Sequence, residues 1–247
     1  MLKRNTIILL LIFSLLISAF TFKHNIIDEL VHSQKTPLNN SIYCYKKGYQ
    51  GKKILLIGSM HGNEKAGIPI SIKIMNAVFE EASAVNTLIC IPSLNPDGNI
   101  LNKRGNSNNI DINRNFPATN WILKDSALID NDKKIYWGGQ KPASEEETKF
   151  ILKLDSLYHF NAVIVLHQFM NCVEYDGPAF QLAAYLSYRT GQELKEDIGY
   201  STAGSLGSYF GLDKQVEVIT IEIPKNPSDT LQENIANAIT DIVVKGY

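Results

Sequence analysis

The stretch KKILLIGSMHGNEKAG, residues 52–67, joins an apolar run to a segment with three glycines. Its first part is a continuous apolar run, which is typical of a strand covered on both faces of a parallel sheet. Similar runs recur at residues 87–92 (TLICIP), 161–167 (NAVIVLH) and 216–223 (VEVITIEI). Each run therefore predicts a buried strand.

Helical patterns fill the intervals between these runs. They lie at residues 66–82, 144–158, 178–190 and 230–244. The second of them opens with Ser144 and carries Glu147 three residues later, which predicts a capping box at its start. Strands that alternate with helices predict a single α/β domain, with a mixed, mostly parallel twisted sheet sandwiched by helices.

Composition excludes two broad classes of function. The chain has 247 residues, of which 45% are hydrophobic and 20% charged, and its formal net charge is -1. This balance excludes a disordered chain, which needs low hydrophobicity and high charge. It also lacks the basic excess of a nucleic-acid binder, so we expect no nucleic-acid partner. The oligomeric state stays open.

The N-terminus has the pattern of an export signal. Lys3 and Arg4 precede an apolar stretch at residues 6–22, TIILLLIFSLLISAFTF. No small-x-small cleavage site is clean, so residues 1–22 are predicted to be a signal peptide or an uncleaved membrane anchor. The positive-inside rule then predicts that the rest of the chain is periplasmic, or anchored to the outer face of the inner membrane. A buried N-terminal helix is the alternative.

Two regions beyond the signal are predicted to be irregular. Residues 23–41 are predicted to be a polar lead-in, followed by a catalytic domain over residues 42–247. Residues 93–142 are rich in Asn, Gly, Pro and Asp and lack sustained periodicity. A loop of that length in a compact domain is usually functional, so we expect it to contribute to a site.

The three cysteines of the chain give little indication of the cellular compartment in which the protein acts. Cys44, Cys90 and Cys172 are an odd number for an exported chain, so they cannot all pair internally. Cys90 lies in an apolar strand and is predicted to be a core residue. A Cys44–Cys172 disulfide stays open, although nothing in the spacing favours it.

Three candidate metal ligands stand at the ends of predicted strands. His61 and Glu64 follow the first strand, and His167 ends the third. Carboxyl ends of parallel strands meet at one edge of a sheet, where ligands bind in α/β folds. Two histidines and a glutamate with an open fourth position form a recurrent catalytic zinc site. The alternative is a tight turn with a solvated charge.

A segment within the long loop carries two arginines. Residues 93–117 read SLNPDGNILNKRGNSNNIDINRNFP, in which NPDG predicts a turn. Guanidinium groups bind carboxylates bidentately and keep their charge, so Arg104 and Arg114 are candidates for binding one anion. A solvated basic loop is the alternative.

Glu222 is an unexpected charge within the apolar segment VITIEIP, residues 218–224. Burying it unpaired would be costly, so its presence needs a reason. On a strand it alternates away from Ile221 and Ile223 and can project into a site as a general base. The alternative is an edge-strand glutamate that faces solvent.

Taken together, these motifs resemble the zinc metallocarboxypeptidases of the carboxypeptidase A type, over residues 51 to about 224. The resemblance rests on HGNE, NPDG, DINRNFP, YWGGQKPASEEET, LHQF and ITIEIP, in that order. It implies one zinc ion per chain. The implied zinc ligands are His61, Glu64 and His167.

The same resemblance implies roles for five other residues. Glu222 would be the general base and acid, and Arg104 would polarise the scissile carbonyl. Asn113 and Arg114 would hold the terminal carboxylate of the substrate. Tyr200, in the segment GYSTAGS at residues 199–205, would cap the substrate.

Two further segments, GYSTAGSLGSYFG and NCVEYDGPA, look most like the bacterial branch that contains murein peptide amidases. That resemblance implies removal of diaminopimelate, or another terminal residue, from γ-D-glutamyl stem peptides of peptidoglycan. Such amidases are regarded as cytoplasmic, whereas this chain begins with an export signal. The alternatives are an amidohydrolase of small N-acyl amino acids, of the aspartoacylase and desuccinylase group, and a non-catalytic wall-binding protein.

Overall fold

An eight-stranded sheet forms the centre of the fold. The computed structural model describes residues 30–123, 137–196 and 202–247. Along the chain the strands are β1 (Leu30–Lys35), β2 (Ser41–Lys47), β3 (Lys53–Ile57), β4 (Thr87–Ile91), β5 (Ala162–Phe169), β6 (Cys172–Asp176), β7 (Glu193–Lys195) and β8 (Glu217–Pro224). Their order across the sheet is β1-β2-β4-β3-β5-β8-β6-β7.

The central strands are parallel. β4, β3, β5 and β8 pair in parallel, while β2 is antiparallel to β4 and β6 is antiparallel to β8. Each of the four central strands is covered on both faces, which explains their continuous apolar sequence. The predicted mixed, mostly parallel sheet is confirmed.

Helices cover both faces of the sheet. The α-helices are α1 (Gly67–Glu80), α2 (Pro96–Leu101), α3 (Glu146–Tyr158), α4 (Phe180–Thr190) and α5 (Asp229–Val244), with a 3₁₀ turn at Ile112–Arg114 and a π-helix at Gly207–Asp213. α1, α4 and α5 pack on one face, against alternate β3 residues such as Ile54 and Leu56. α3 and the π-helix pack on the other face, against Leu55 and Ile57. No helix among the described residues combines the length and apolarity needed to cross a membrane.

The predicted N-terminal segments have different outcomes. The predicted signal over residues 1–22 lies outside the described residues. The irregular lead-in predicted for residues 23–41 is wrong at Leu30–Lys35, which form the edge strand β1. This strand has mostly exposed or half-buried side chains and is stabilised by backbone pairing with β2, so the hydrophobic pattern does not reveal it.

Two local predictions differ in detail from the structure. α3 begins at Glu146 without a side-chain cap, and the Ser144 hydroxyl donates to Glu145 Oε1 at 2.6 Å instead. The predicted NPDG turn is the first turn of α2: Asn95 Oδ1 accepts a hydrogen bond from the Gly98 N–H at 2.8 Å, and proline follows at the first helical position.

The three cysteines are buried free thiols. Burial raises the pKa of each thiol above its usual value. Cys90 packs in the core beside α1, as predicted from its place in an apolar strand.

Candidate metal centre and active site

The predicted metal ligands and the predicted base meet at one edge of the sheet. β3, β5 and β8 are adjacent and parallel, so the segment after β3 and the ends of β5 and β8 lie together. His167 on β5 is paired in register with Glu222 on β8. His61 and Glu64, which follow β3, line one cavity of about 420 Å³ together with these two residues.

The turn that carries His61 and Glu64 is packed tightly against the arginine loop. The Gly62 N–H donates to the Arg104 carbonyl at 3.1 Å, and Asn99 Nδ2 donates to the Gly62 carbonyl at 3.1 Å. A Cβ at Gly62 would lie 2.0 Å from the Gly98 carbonyl carbon. Only glycine therefore permits this approach, which brings the first two ligands beside the loop.

The three predicted ligands converge on one point. Their ligand atoms all lie within 4.8 Å of one another, and the three residues are 1–4% exposed. His61 Nδ1 lies 2.9 Å from Glu64 Oε1, and His167 Nδ1 lies 2.7 Å from Glu64 Oε2. Two imidazoles and a carboxylate that leave one position open fit zinc in its catalytic mode.

Asp111 orients the first histidine. Its Oδ1 lies 3.0 Å from His61 Nε2, which leaves Nδ1 as the atom that faces the other two ligands. The other carboxylate oxygen of Asp111 accepts from Arg104 Nε at 3.0 Å, and Arg104 Nη1 donates to Glu64 Oε1 at 2.9 Å. Asp111 is a functional residue that sequence reasoning missed, although it stands in the DINRNFP motif two residues before Asn113.

For both His61 and Glu64, burial shifts the pKa in one direction and the oppositely charged neighbours shift it in the other. Burial alone would raise the pKa of the Glu64 carboxyl, but the imidazoles of His61 and His167 outweigh it and the pKa is lowered. Burial and Arg104 lower the pKa of His61, yet the carboxylates of Glu64 and Asp111 raise it overall. The Glu64 carboxylate is therefore held ionised, as a metal ligand must be.

Glu222 is a buried carboxyl that faces the cavity. It is 7% exposed, its Oε2 has no hydrogen-bond partner among the described residues, and burial raises its pKa despite the nearby His167. β8 lies between β5 and β6, so the alternative of an edge-strand glutamate is wrong. A carboxyl with a raised pKa in a cavity has the property needed to accept and return a proton.

The segment that carries Asn113 and Arg114 is fixed from several sides. The Arg114 carbonyl accepts from Trp121 Nε1 at 3.0 Å, and a Cβ at Gly138 would lie 2.2 Å from that carbonyl oxygen. Asn113 Oδ1 accepts from the Leu206 N–H at 2.9 Å, so the amide oxygen is occupied within the protein. The amide nitrogen is then the donor available to a ligand.

The structure brings together all but one of the predicted site residues. Arg104, Asn113 and Arg114 line the same cavity as the metal triad and Glu222. Tyr200 lies outside the described residues. Glu174 and Asp176 also line this cavity, and sequence reasoning missed them. Their spacing in CVEYD places both side chains on one face of a strand, and this pattern could have identified them as a pair from the sequence.

Comparison with known proteins agrees with this geometry. The model of the zinc carboxypeptidase family, Peptidase_M14, matches residues 17–225. Murein peptide amidase A of Escherichia coli K12 is 28% identical over 194 residues, which are 76% of this chain and 78% of that protein. Murein peptide amidase A of Vibrio campbellii is 29% identical over 189 residues, 73% of each chain.

Solved structures show the same architecture. The murein-tripeptide amidase of Escherichia coli O157 is similar with a TM-score of 0.70 and 25% identity, over 86% of this chain and 91% of that chain. Carboxypeptidase A of Helicoverpa armigera has a TM-score of 0.68 at 16% identity, over 87% of this chain and 67% of that one, and shows the fold alone. The chain therefore belongs to the zinc carboxypeptidase family and is a zinc-dependent peptidase.

Proposed function

We propose that this enzyme removes diaminopimelate, or another terminal residue, from stem peptides of peptidoglycan. One observation carries the proposal: Asn113 and Arg114 share a cavity with the metal triad and Glu222. A guanidinium group that binds a carboxylate beside the metal restricts cleavage to the bond next to a terminal residue. The murein peptide amidases among the similar proteins support the substrate class.

The proposed reaction assigns one task to each group. Zinc, when bound, lowers the pKa of a water molecule and polarises the substrate carbonyl. Glu222, which lines the cavity, accepts a proton from the attacking water and returns it to the leaving amine. Arg104 donates to the carbonyl oxygen as negative charge develops there, which is worth about 3 kcal/mol for a preorganised donor. Arg114 and Asn113 hold the terminal carboxylate.

The family assignment weighs against the two alternative functions. A non-catalytic wall-binding protein would not need a buried carboxyl beside a complete ligand set. An amidohydrolase of small N-acyl amino acids is less consistent with a family model for carboxypeptidases that matches residues 17–225.

The site of action is also proposed to lie outside the cytoplasm. Lys3 and Arg4 ahead of the apolar residues 6–22 support export, and the cell wall is where stem peptides with free carboxylates are abundant. A reporter fused after residue 30 should be active outside the cytoplasm. Fluorescence confined to the cytoplasm would contradict export and would favour a recycling role.

The substrate can be tested with two peptides. We expect zinc-loaded enzyme to release diaminopimelate from L-Ala-γ-D-Glu-diaminopimelate, detected by mass spectrometry. The same peptide amidated at the terminal carboxylate should be cleaved at least about thirtyfold less efficiently, because a charge-assisted contact with Arg114 is lost. Equal cleavage of both forms would contradict the role of Arg114, and cleavage of neither would contradict the substrate.

A further inference from the structure

A two-residue turn passes across the strand that carries the proposed base. His167 on β5 and Cys172 on β6 are both paired with Glu222 on β8, one on each side of it. β5 ends at Phe169 and β6 begins at Cys172, so the chain passes from one side of β8 to the other within the crossing turn, residues 170–171. Because neighbouring strands lie about 4.8 Å apart, so short a connection runs close to β8.

The crossing turn contacts the carboxyl group of Glu222. Burial raises the pKa of this carboxyl, and a hydrogen bond from the Met170 backbone is among the interactions that lower it. Met170 also lines the cavity. The position of the crossing turn therefore helps to set the position of the proposed base.

Apolar packing does not fix the crossing turn. The side chains of Phe169 and Met170 are 46% and 41% exposed, and Asn171 is exposed as well. Asn171 has a φ of 67°, in the left-handed region that residues other than glycine seldom adopt. A backbone conformation of this kind persists where its surroundings hold it, so we expect hydrogen bonds to fix the turn.

The first end of the turn is fixed through the residue after His167. The Gln168 N–H donates to Glu64 Oε2 at 3.2 Å, and Gln168 Oε1 accepts from the Ala66 N–H at 2.9 Å. These two bonds join the end of β5 to the segment that carries the metal ligand Glu64. They hold the ligand independently of the second end of the turn.

The second end of the turn is fixed by Gln192. Its Nε2 donates to the Glu222 carbonyl oxygen at 2.9 Å and to Asn171 Oδ1 at 3.3 Å. One amide group thus ties the crossing turn to β8 at the residue of the proposed base. Gln192 is 4% exposed, and its Oε1 has no hydrogen-bond partner in the part of the chain that the structure describes. Burying such an amide is costly, so the bonds of Nε2 are what this position gains.

The end of α4 holds the backbone of Gln192. Gly191 follows the last residue of α4 with a φ of 74°. The Gln192 N–H then donates to Thr190 Oγ1 at 3.3 Å, and the Gln192 carbonyl accepts from Ser187 Oγ at 2.6 Å. Gln192 is not one of the described residues that line the cavity, so its place suits support of the base rather than contact with substrate.

We infer that Gln192 is a positioning residue, which holds Glu222 in place by tying the crossing turn to β8. The inference rests on the proposed function, in which Glu222 is the general base. Without the Nε2 donor, Asn171 and the Glu222 carbonyl lose their shared partner, and the turn is free to move. A shift of about 1 Å in a reacting group can cost about a hundredfold in rate, so the effect should appear in kcat.

Gln192→Met tests the inference because it keeps the length of the side chain and removes the donor. With L-Ala-γ-D-Glu-diaminopimelate, we expect kcat to fall about tenfold to hundredfold, KM to stay within about twofold, and zinc content to be unchanged. In the Glu222→Gln background the same substitution should change the residual kcat by less than about twofold, because residues that act as a unit are not additive. The matched control is Gln232→Met, which removes a donor to the Pro227 carbonyl and should leave kcat as it is.

The kinetic outcomes separate the inference from the proposed function. Near-normal kcat in Glu222→Gln would contradict the proposed role of Glu222 and would overturn the inference with it. A low kcat in Glu222→Gln together with wild-type kcat in Gln192→Met would overturn the inference alone. An equal loss from Gln192→Met in both backgrounds would also overturn it, because Gln192 would then act on something other than the base.

A measurement without substrate tests the same contact. Amide hydrogen exchange of the zinc-loaded protein should be at least about tenfold faster within residues 168–172 in Gln192→Met, and unchanged in α3. Asn171→Gly permits the left-handed conformation and removes the acceptor from an exposed turn, so it serves if Gln192→Met fails to fold. It should show the same local exchange and lose kcat about threefold or more, the value of one hydrogen bond.

The exchange measurement decides the matter even if the wild type does not cleave this peptide. That result would contradict the proposed substrate, whereas faster exchange confined to residues 168–172 would support the inference. Wild-type exchange in the variants that fold would overturn it.

Discussion

Glu147 should make the protein less stable as the pH rises from 4.5 to about 7. Its side chain is fully buried and Oε2 accepts from Asn106 Nδ2 at 3.2 Å, whereas Oε1 has no hydrogen-bond partner in the part of the chain that the structure describes. Burial raises the pKa of this carboxyl from 4.5 to about 7, and the neighbouring carboxylates of Glu145 and Asp97 add to the effect. The folded protein therefore retains a proton at Glu147 at pH values where the unfolded chain has lost it.

The sign and size of the effect follow from the two pKa values. Below pH 4.5 the carboxyl is protonated in both states, so it adds no pH dependence. Between pH 4.5 and about 7 the folded state binds more protons, and the free energy of unfolding falls as the pH rises. Above that window the loss is complete and amounts to about 3 kcal/mol, because one pKa unit is worth about 1.4 kcal/mol.

Glu147→Gln should remove this dependence, because glutamine cannot ionise and keeps an oxygen for Asn106. The variant should match the wild type near pH 5 and exceed it by up to about 3 kcal/mol at pH 8. Urea unfolding at fixed zinc concentration between pH 5 and pH 8 measures the difference. The matched control is Glu146→Gln, whose side chain is 37% exposed and pairs with Lys149, and which should change stability by less than about 0.5 kcal/mol.

A difference between Glu147→Gln and wild type that stays constant from pH 5 to pH 8 would refute the reasoning. It would mean that Glu147 has the same pKa in the folded and unfolded states. A variant that is less stable than wild type at pH 8 would refute it more strongly, because it would show that the ionised carboxylate stabilises the fold.

Three other outcomes are expected at the metal centre. Glu222→Gln should retain zinc by elemental analysis and lose turnover by a factor of roughly 100 to 10,000, and near-normal turnover would remove Glu222 from the mechanism. His61→Ala and His167→Ala should each hold far less than one zinc per chain, so wild-type zinc content in both would disprove the ligand assignment. Asp111→Asn should weaken zinc affinity about 10-fold to 100-fold in a chelator competition, and unchanged affinity would mean that Asp111 does not orient His61.

The parallel centre of the sheet was predictable because burial on both faces leaves continuous apolar runs. All four predicted strands are present, and the ligands at their ends meet because parallel strands share a carboxyl edge. The edge strand β1 was not predictable in this way, because backbone pairing rather than apolar burial stabilises it. The capping role predicted for Glu147 is wrong because only its spacing from Ser144 suggested it. In the structure the Glu147 side chain is buried inside the protein.

The acidic surface of the cavity illustrates what a single sequence lacks. The spacing of Glu174 and Asp176 places both side chains on one face of a strand. The spacing does not show which face of the sheet this is, or which strand pairs with it. Only the antiparallel register of β6 with β8 places them on the face of Glu222. Register is set by distant pairing, so it is absent from local sequence patterns.

Because β8 occupies a middle position in the sheet, the active site cannot be complete until the last strand of the chain is in place. β8 is the last strand in the chain, yet it inserts between β5 and β6, which precede it. Until it arrives, these two strands expose unpaired backbone edges, and pairing between remote segments is slow. A nascent chain that ends before residue 217 would carry all three metal ligands but neither the base nor the strand that joins the two parts of the sheet. Such a chain would be inactive and prone to aggregation through those open edges.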